Sequence, residues 1–143
     1  MTVGRILAAK GRKVVTIEPD RSVADAAALL AREGIGAVIV TDSGDHVRGV
    51  FSERDLVRLL AARGPGALQD PVSAWMTREV VTTCERASVH SLMSQMTEGR
   101  FRHLPVMEGE RLVGVVSIGD LVKQRLAEME SEQQALREYI ATA

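Results

Sequence analysis

Two stretches of the chain place a serine and an aspartate at a spacing suited to a phosphorylated sugar. Residues 49–55 read GVFSERD and residues 114–120 read GVVSIGD. Each stretch runs from a predicted strand into a predicted helix, where free backbone N–H groups and the positive end of the helix dipole favour a phosphate. The serine hydroxyl can donate to a phosphate oxygen, and the aspartate one turn later can accept from two ribose hydroxyls.

The same spacing also fits a capping box, in which the serine and the aspartate only satisfy the backbone of their own helix. For a single copy, this structural interpretation is the simpler one. Two copies at the same structural point, each preceded by a strand threonine (Thr16 or Thr82), favour ligand binding. Both interpretations remain open from the residues alone.

The two stretches belong to a longer internal repeat. Identical segments align in order: VVT at residues 14–16 and 80–82, SV at residues 22–23 and 88–89, and DLV at residues 55–57 and 120–122. The lead-in segments repeat as well, with Val3, Ile6 and Leu7 matching Val72, Trp75 and Met76. An ordered series of this kind indicates a duplication.

Each copy predicts the order strand, helix, strand, strand, helix after a short lead-in helix. The predicted strands are residues 14–17, 37–40 and 47–51 in the first copy and 80–82, 104–106 and 112–116 in the second. The predicted organisation is a first repeat with its lead-in helix at 1–62, a linker at 63–70, a second repeat with its lead-in helix at 71–125, and an amphipathic helix at 126–143. Together these segments form one module.

The chain resembles a tandem pair of cystathionine-β-synthase (CBS) domains, also called a Bateman module. The resemblance covers roughly residues 14–125 and rests on GVFSERDL at 49–56, GVVSIGDL at 114–121 and FRHLPV at 101–106. In overall form the chain is similar to small stand-alone bacterial CBS-pair proteins. The resemblance implies an α+β fold in which two β-α-β-β-α repeats pack sheet to sheet with pseudo-two-fold symmetry. A short N-terminal helix and a long C-terminal helix flank the pair.

The resemblance also implies two clefts for adenosine-containing ligands, each built from both repeats. The Asp120 cleft would combine Ser117, Gly119 and Asp120 with Thr16, Ile35 and Gly36. The Asp55 cleft would combine Ser52, Arg54 and Asp55 with Thr82, Phe101 and Arg102, while Ala37 and His103 border the clefts. In this family the aspartate takes the ribose hydroxyls and the serine takes phosphate. The strand threonine and nearby backbone hold the base.

The two copies differ at positions that would set selectivity. Arg54 corresponds to Gly119, so one motif offers a guanidinium and the other a bare N–H. Gly36-Ala37 corresponds to Arg102-His103, which adds a fixed and a titratable cation to the second repeat. We therefore expect the clefts to differ in ligand, affinity or phosphate number. A surface ion pair for Arg102 and a structural hydrogen bond for His103 are the alternatives.

Composition restricts the function classes. The chain has 143 residues and a formal charge of -1, from 18 lysines and arginines against 19 aspartates and glutamates, which argues against a nucleic-acid binder. Aromatic residues make up 3%, so aliphatic side chains and backbone would hold an adenine. One cysteine and three scattered histidines form no metal constellation. The absence of a long apolar run predicts no membrane association and a cytoplasmic protein.

The C-terminal segment carries a heptad seam outside the duplication. Its apolar or neutral positions alternate at spacings of four and three: Val122, Leu126, Met129, Gln133, Leu136 and Ile140. The seam predicts either a helix that lies on its own domain or a self-association helix of a homodimer.

These observations predict a non-catalytic regulatory module without a catalytic cofactor. Its candidate ligands are AMP, ADP, ATP, NAD(H) and S-adenosylmethionine, and its output would pass through dimer geometry or an unidentified effector protein. The alternative is a dimerisation and interaction scaffold that needs no ligand. An enzyme acting on a nucleotide is a weaker third hypothesis, since no activated nucleophile is evident.

Overall fold

The computed structural model describes residues 1–99 and 101–142. Its helices and strands follow the chain as α1 (Val3–Lys10), β1 (Thr16–Ile17), α2 (Val23–Glu33), β2 (Ala37–Thr41), β3 (Val47–Ser52), α3 (Glu53–Arg63), α4 (Val89–Gly99), β4 (His103–Glu108), β5 (Arg111–Ser117) and α5 (Ile118–Thr142). Two short 3-10 helices, Pro65–Gln69 and Val72–Ala74, connect the repeats. This is the predicted α+β pair of repeats with a short first helix and a long last helix.

Matching hairpins form the centre of each repeat. Strand β1 pairs in parallel with β2, β2 pairs antiparallel with β3, and β4 pairs antiparallel with β5. Each hairpin shifts register at the same point, after Val40 in one and after Val106 in the other. The register places Ala37 opposite Ser52 and His103 opposite Ser117. The two motifs therefore begin their helices from equivalent corners of the pseudo-symmetric sheets.

The first strand of the second repeat is where the structure departs from the prediction. Residues 80–82 form no strand, and only Thr83 makes a single parallel bridge to Val106. In the first repeat the N–H of Ile39 donates to the carbonyl of Val15 at 3.4 Å. The equivalent residue in β4 is Pro105, which has no N–H, so the ladder cannot extend back along residues 80–82.

The lead-in segments are exchanged between the repeats. Val3, Ile6 and Leu7 belong to the buried cluster of the second repeat, whereas Val72 and Met76 belong to that of the first. Symmetric backbone bridges join Thr2 to Ser88 and Pro71 to Ser22. Burial of each large apolar side chain contributes about 1.5–3 kcal/mol, so each repeat depends on the other's lead-in for part of its core.

The segment between the repeats is also part of a core. Residues 63–70 were predicted to be a linker, yet they contain the 3-10 helix Pro65–Gln69, in which Ala67 is fully buried. The second lead-in was predicted as a helix from Pro71, but it forms only the 3-10 turn Val72–Ala74 before running extended past Val50.

Helix α5 is continuous from the second motif to Thr142. Its 25 residues include both the last helix of the second repeat and the predicted C-terminal helix. Leu121 is its one buried residue among those described. Within residues 1–99 and 101–142, no helix has the length and apolarity that crossing a bilayer requires.

Candidate functional site

Both motifs form complete capping boxes. At the start of α3, the Asp55 N–H donates to Ser52 Oγ at 3.3 Å, and Asp55 Oδ2 accepts from the Ser52 N–H at 2.9 Å. At the start of α5, the Asp120 N–H donates to Ser117 Oγ at 3.2 Å, and Asp120 Oδ2 accepts from the Ser117 N–H at 2.9 Å. The structural role that the spacing allowed is therefore real in both copies.

The first turn of each helix keeps one backbone donor for a ligand. The Glu53 N–H donates to the carbonyl of Gly36 at 3.0 Å, and the Ile118 N–H donates to that of Arg102 at 2.8 Å. The capping boxes use the neighbouring N–H groups on either side. Among the described residues, the first-turn N–H groups left without a protein acceptor are those of Arg54 and Gly119. An anion at a helix N-terminus binds such donors.

A cavity of about 780 Å³ opens beside the starts of both helices. Its walls include these predicted residues: Gly36, Ala37, Ser52, Arg54, Asp55, Phe101, Arg102, His103, Ser117 and Gly119. This volume lies within the range of ~300–1,000 Å³ that is typical of small-molecule sites. Residues of both repeats thus share one cavity, and Ser117 and Gly119 line the same space as Ser52.

Four predicted residues lie outside the walls of this cavity: Thr16, Ile35, Thr82 and Asp120. Val80 and Val81 line it in the region where Thr82 was expected. Thr82 belongs to the segment that forms no strand. Thr16 is exposed at the start of β1.

The two motif aspartates have different surroundings. Asp55 is 5% exposed; its Oδ1 accepts from Thr77 Oγ1 at 3.3 Å and lies 3.6 Å from Arg58 Nη2. Asp120 is less buried, and its Oδ2 lies 2.6 Å from Lys10 Nζ. Burial alone would raise the pKa of Asp120, but the hydrogen bonds from Lys10 and from the Ser117 N–H hold that pKa below its usual value.

The fold and this paired geometry can now be compared with known proteins. The sequence profile described as CBS domain matches residues 5–62 and 72–127. The chain belongs to the CBS domain family. The mitochondrial CBS domain-containing protein CBSX3 of Arabidopsis thaliana is 30% identical to it over 97% of this chain and 71% of its own length.

Solved CBS structures share the fold. The CBS-domain protein ATU1752 from Agrobacterium tumefaciens is 49% identical, with a TM-score of 0.85 over 87% of this chain and 92% of its own. The CBS domain pair of protein MJ0100 is 22% identical, with a TM-score of 0.80 over 90% of this chain and 98% of its own. That pair was solved in complex with 5′-methylthioadenosine and S-adenosyl-L-methionine.

His103 lies where the two CBS repeats meet. A Cβ atom placed on Gly36 would lie 3.4 Å from His103 Cε1, so the ring packs closely against the other repeat. Burial lowers the pKa of His103 below its ordinary value; Asp120 and Glu53 oppose this shift, and Lys10 and Arg102 add to it. The histidine therefore favours its neutral form in the folded CBS pair.

Several cavity residues escaped the sequence reasoning. Arg58, Thr77, Glu79, Val80 and Val81 all line the cavity. Thr77 and Glu79 reach it because the second lead-in packs on the first repeat. The repetition of the lead-in segments was the available signal, but their exchange between repeats is a long-range property that spacing does not reveal.

Proposed function

We propose that this CBS pair is a non-catalytic, cytoplasmic sensor module that binds adenine nucleotides. The candidates remain AMP, ADP, ATP, NAD(H) and S-adenosylmethionine. The observation that carries the proposal is the duplicated helix start, at which an N–H without a protein acceptor and a carboxylate lie within one turn. A capping box alone would not need an adjoining cavity of about 780 Å³.

The cavity lining holds three guanidinium groups and three carboxylates, those of Glu53, Asp55 and Glu79, so individual guanidinium groups rather than the net charge supply partners for a phosphate. Arg54, Arg58 and Arg102 all line the cavity, and guanidinium groups bind phosphates with paired hydrogen bonds. Val80, Val81 and Phe101 supply the apolar surface that an adenine would contact. The complex of the MJ0100 pair with 5′-methylthioadenosine and S-adenosyl-L-methionine supports an adenosine-containing ligand; neither of those compounds carries a phosphate.

Signalling would follow from the shared walls of the cavity. Ser52 and Arg54 come from the first repeat, whereas Phe101 and Arg102 come from the second. A ligand that contacts all four stabilises one relative packing of the repeats over others, which shifts the population of conformations. An effector protein or the dimer partner would respond to that packing.

Ligand-dependent thermal unfolding tests the proposal. A ligand at one hundred times its dissociation constant adds about 2.7 kcal/mol of stability. We expect at least one adenine nucleotide of the panel to raise the unfolding midpoint by several degrees. Asp55→Ala and Asp120→Ala should reduce the ligand-induced rise.

Asp25→Ala is the matched control, because the Asp25 N–H also donates to a capping serine, Ser22, at 3.0 Å, at the start of α2. Its ligand-induced rise should equal that of the original chain. Absence of a shift with every nucleotide would favour the scaffold alternative. A shift that survives both cleft substitutions would refute the site assignment, and a converted nucleotide would indicate an enzyme.

We further propose a homodimer formed through α5. The apolar positions of its seam face solvent: Val122, Leu126, Met129, Leu136 and Ile140 are 45–65% exposed. These exposed fractions favour the self-association helix over a helix that lies on its own domain. The heptad spacing suits a second copy of the same helix, and the flanking charges of both signs are compatible with self-pairing.

A further inference from the structure

The N-terminal helix supplies a cation to the second motif. Lys10 ends α1, and its ammonium donates to Asp120 Oδ2 at 2.6 Å and to the carbonyl of Val115 at 2.9 Å. The Ser117 N–H donates to the same carboxylate oxygen at 2.9 Å. Lys10 Nζ and the start of α5 therefore meet on one oxygen atom, beside the Gly119 N–H that has no protein acceptor.

The first motif receives the opposite charge from the corresponding position. The alignment of Val3, Ile6 and Leu7 with Val72, Trp75 and Met76 continues to pair Lys10 with Glu79. Glu79 and Asp55 both line the cavity. The exchange of the lead-ins thus brings a lysine to one motif and a glutamate to the other. This charge difference lies outside the two motif sequences.

We propose that Lys10 is a phosphate-recognition residue of the Asp120 cleft and that it makes this cleft selective for phosphorylated nucleosides. This inference rests on the proposed nucleotide binding. A ribose that donates its two hydroxyls to Asp120 competes with Lys10 for the carboxylate. The released ammonium remains within reach of the first turn of α5, where a phosphate on the Gly119 N–H becomes its new partner.

We therefore expect Lys10 to affect the binding of a nucleotide and of a nucleoside differently. When AMP binds, its ribose breaks the ion pair between Lys10 and Asp120, and its phosphate then forms a new ion pair with Lys10. Adenosine breaks the same ion pair but has no phosphate to accept from Lys10. Removal of the ammonium should therefore weaken AMP binding, while adenosine binding is unchanged or tighter.

The test measures AMP and adenosine binding by NMR titration at the backbone amides of Thr16 and Asp120, which lie outside the walls of the cavity that contains Asp55 and therefore report the Asp120 cleft. Lys10→Met removes the charge and keeps the aliphatic stem of a side chain that is 36% exposed, so the fold should tolerate it. Lys13→Met is the matched control, since Lys13 is 82% exposed and pairs with Glu33. Lys10→Arg should keep the preference.

We expect Lys10→Met to lower the ratio of AMP affinity to adenosine affinity about tenfold, the value of one charged hydrogen bond. Lys13→Met should leave the ratio unchanged. An unchanged ratio in Lys10→Met overturns the role of Lys10, while the proposed function stands. If neither ligand moves any cleft amide of the original chain, the proposed function fails and this inference fails with it.

Discussion

Asp55 and Asp120 occupy equivalent positions but present different carboxylates to a ligand. Asp55 is buried, accepts from the hydroxyl of Thr77 and lies 3.6 Å from Arg58 Nη2 of its own helix, whereas Asp120 accepts from the ammonium of Lys10 in α1. The sequence predicts an asymmetry of the clefts at Arg54 and Gly119, where one helix start carries a guanidinium side chain and the other carries no side chain. Lys10 and Thr77 add a second asymmetry that comes from the lead-ins.

The pKa of His103 predicts a pH-dependent stability. Its folded-state pKa lies below the unfolded value of about 6.5, so the unfolded chain takes up the proton first. The free energy of unfolding should therefore fall as the pH drops from about 6.5 through the lowered folded-state pKa. Chemical denaturation at several pH values from 7.5 to 5 measures this slope.

His103→Gln should make that dependence flatter. His90→Gln is the control, because His90 is exposed on α4 and should leave the slope unchanged. Equal slopes for the original chain and His103→Gln would show that burial of His103 does not set the pH dependence.

At the scale of elements, the exchange of lead-ins is the feature that couples the repeats. Each lead-in packs against the last strand of the other repeat, and a glycine in that strand allows the close approach. A Cβ on Gly49 would lie 2.7 Å from both the Thr77 carbonyl oxygen and Met76 Sδ. A Cβ on Gly114 would lie 2.8 Å from the Leu7 methyl groups. The matched glycines thus face a rigid backbone in one repeat and a movable side chain in the other.

Alanine at these two positions should therefore have unequal costs. We expect Gly49→Ala to lower the free energy of unfolding by about 2 kcal/mol, because the Thr77 carbonyl cannot move without breaking the bridge to Val50. Gly114→Ala should cost less, since Leu7 can change rotamer. Urea denaturation of both variants measures the difference, and a larger cost for Gly114→Ala would contradict this account.

The local sequence pattern predicted most helices and strands, but it wrongly predicted a strand at residues 80–82. Residues 14–17 and 80–82 both contain VVT, so any argument from propensity treats them alike. Their strands differ because Ile39 has an N–H and the paired position in the second repeat is Pro105. The register that aligns these residues across the sheet is set by tertiary packing.

For the whole molecule, the exposed apolar row on α5 is a candidate surface for association with a second copy. Its seam residues project from a helix of 25 residues with one buried position among those described. Exposed side chains also include Val57 at 66% and Leu60 at 38% on α3, the equivalent helix of the first repeat. A seam of two and a half heptads is too short to stabilise a dimer by itself, so neighbouring surfaces such as this one on α3 would have to contribute contacts.

A charge in the seam should therefore disrupt the dimer. Met129→Glu places a carboxylate in the seam, whereas Ser131→Glu places one on the opposite side of the same helix. Sedimentation velocity should show a loss of dimer for Met129→Glu and an unchanged distribution for Ser131→Glu. If both variants form the same fraction of dimer, the seam of α5 is not part of the dimer interface.

The duplication, the hairpins, the two capped helix starts and the seam of α5 can all be predicted from the chain. These features depend on spacing within single segments, and local backbone geometry turns that spacing into structure. Long-range packing sets which repeat each lead-in packs on, brings Lys10 to Asp120, and places Ser52 and Ser117 in the wall of one cavity. Those contacts join residues far apart in the chain, where packing of the two cores, rather than local preference, selects the neighbours.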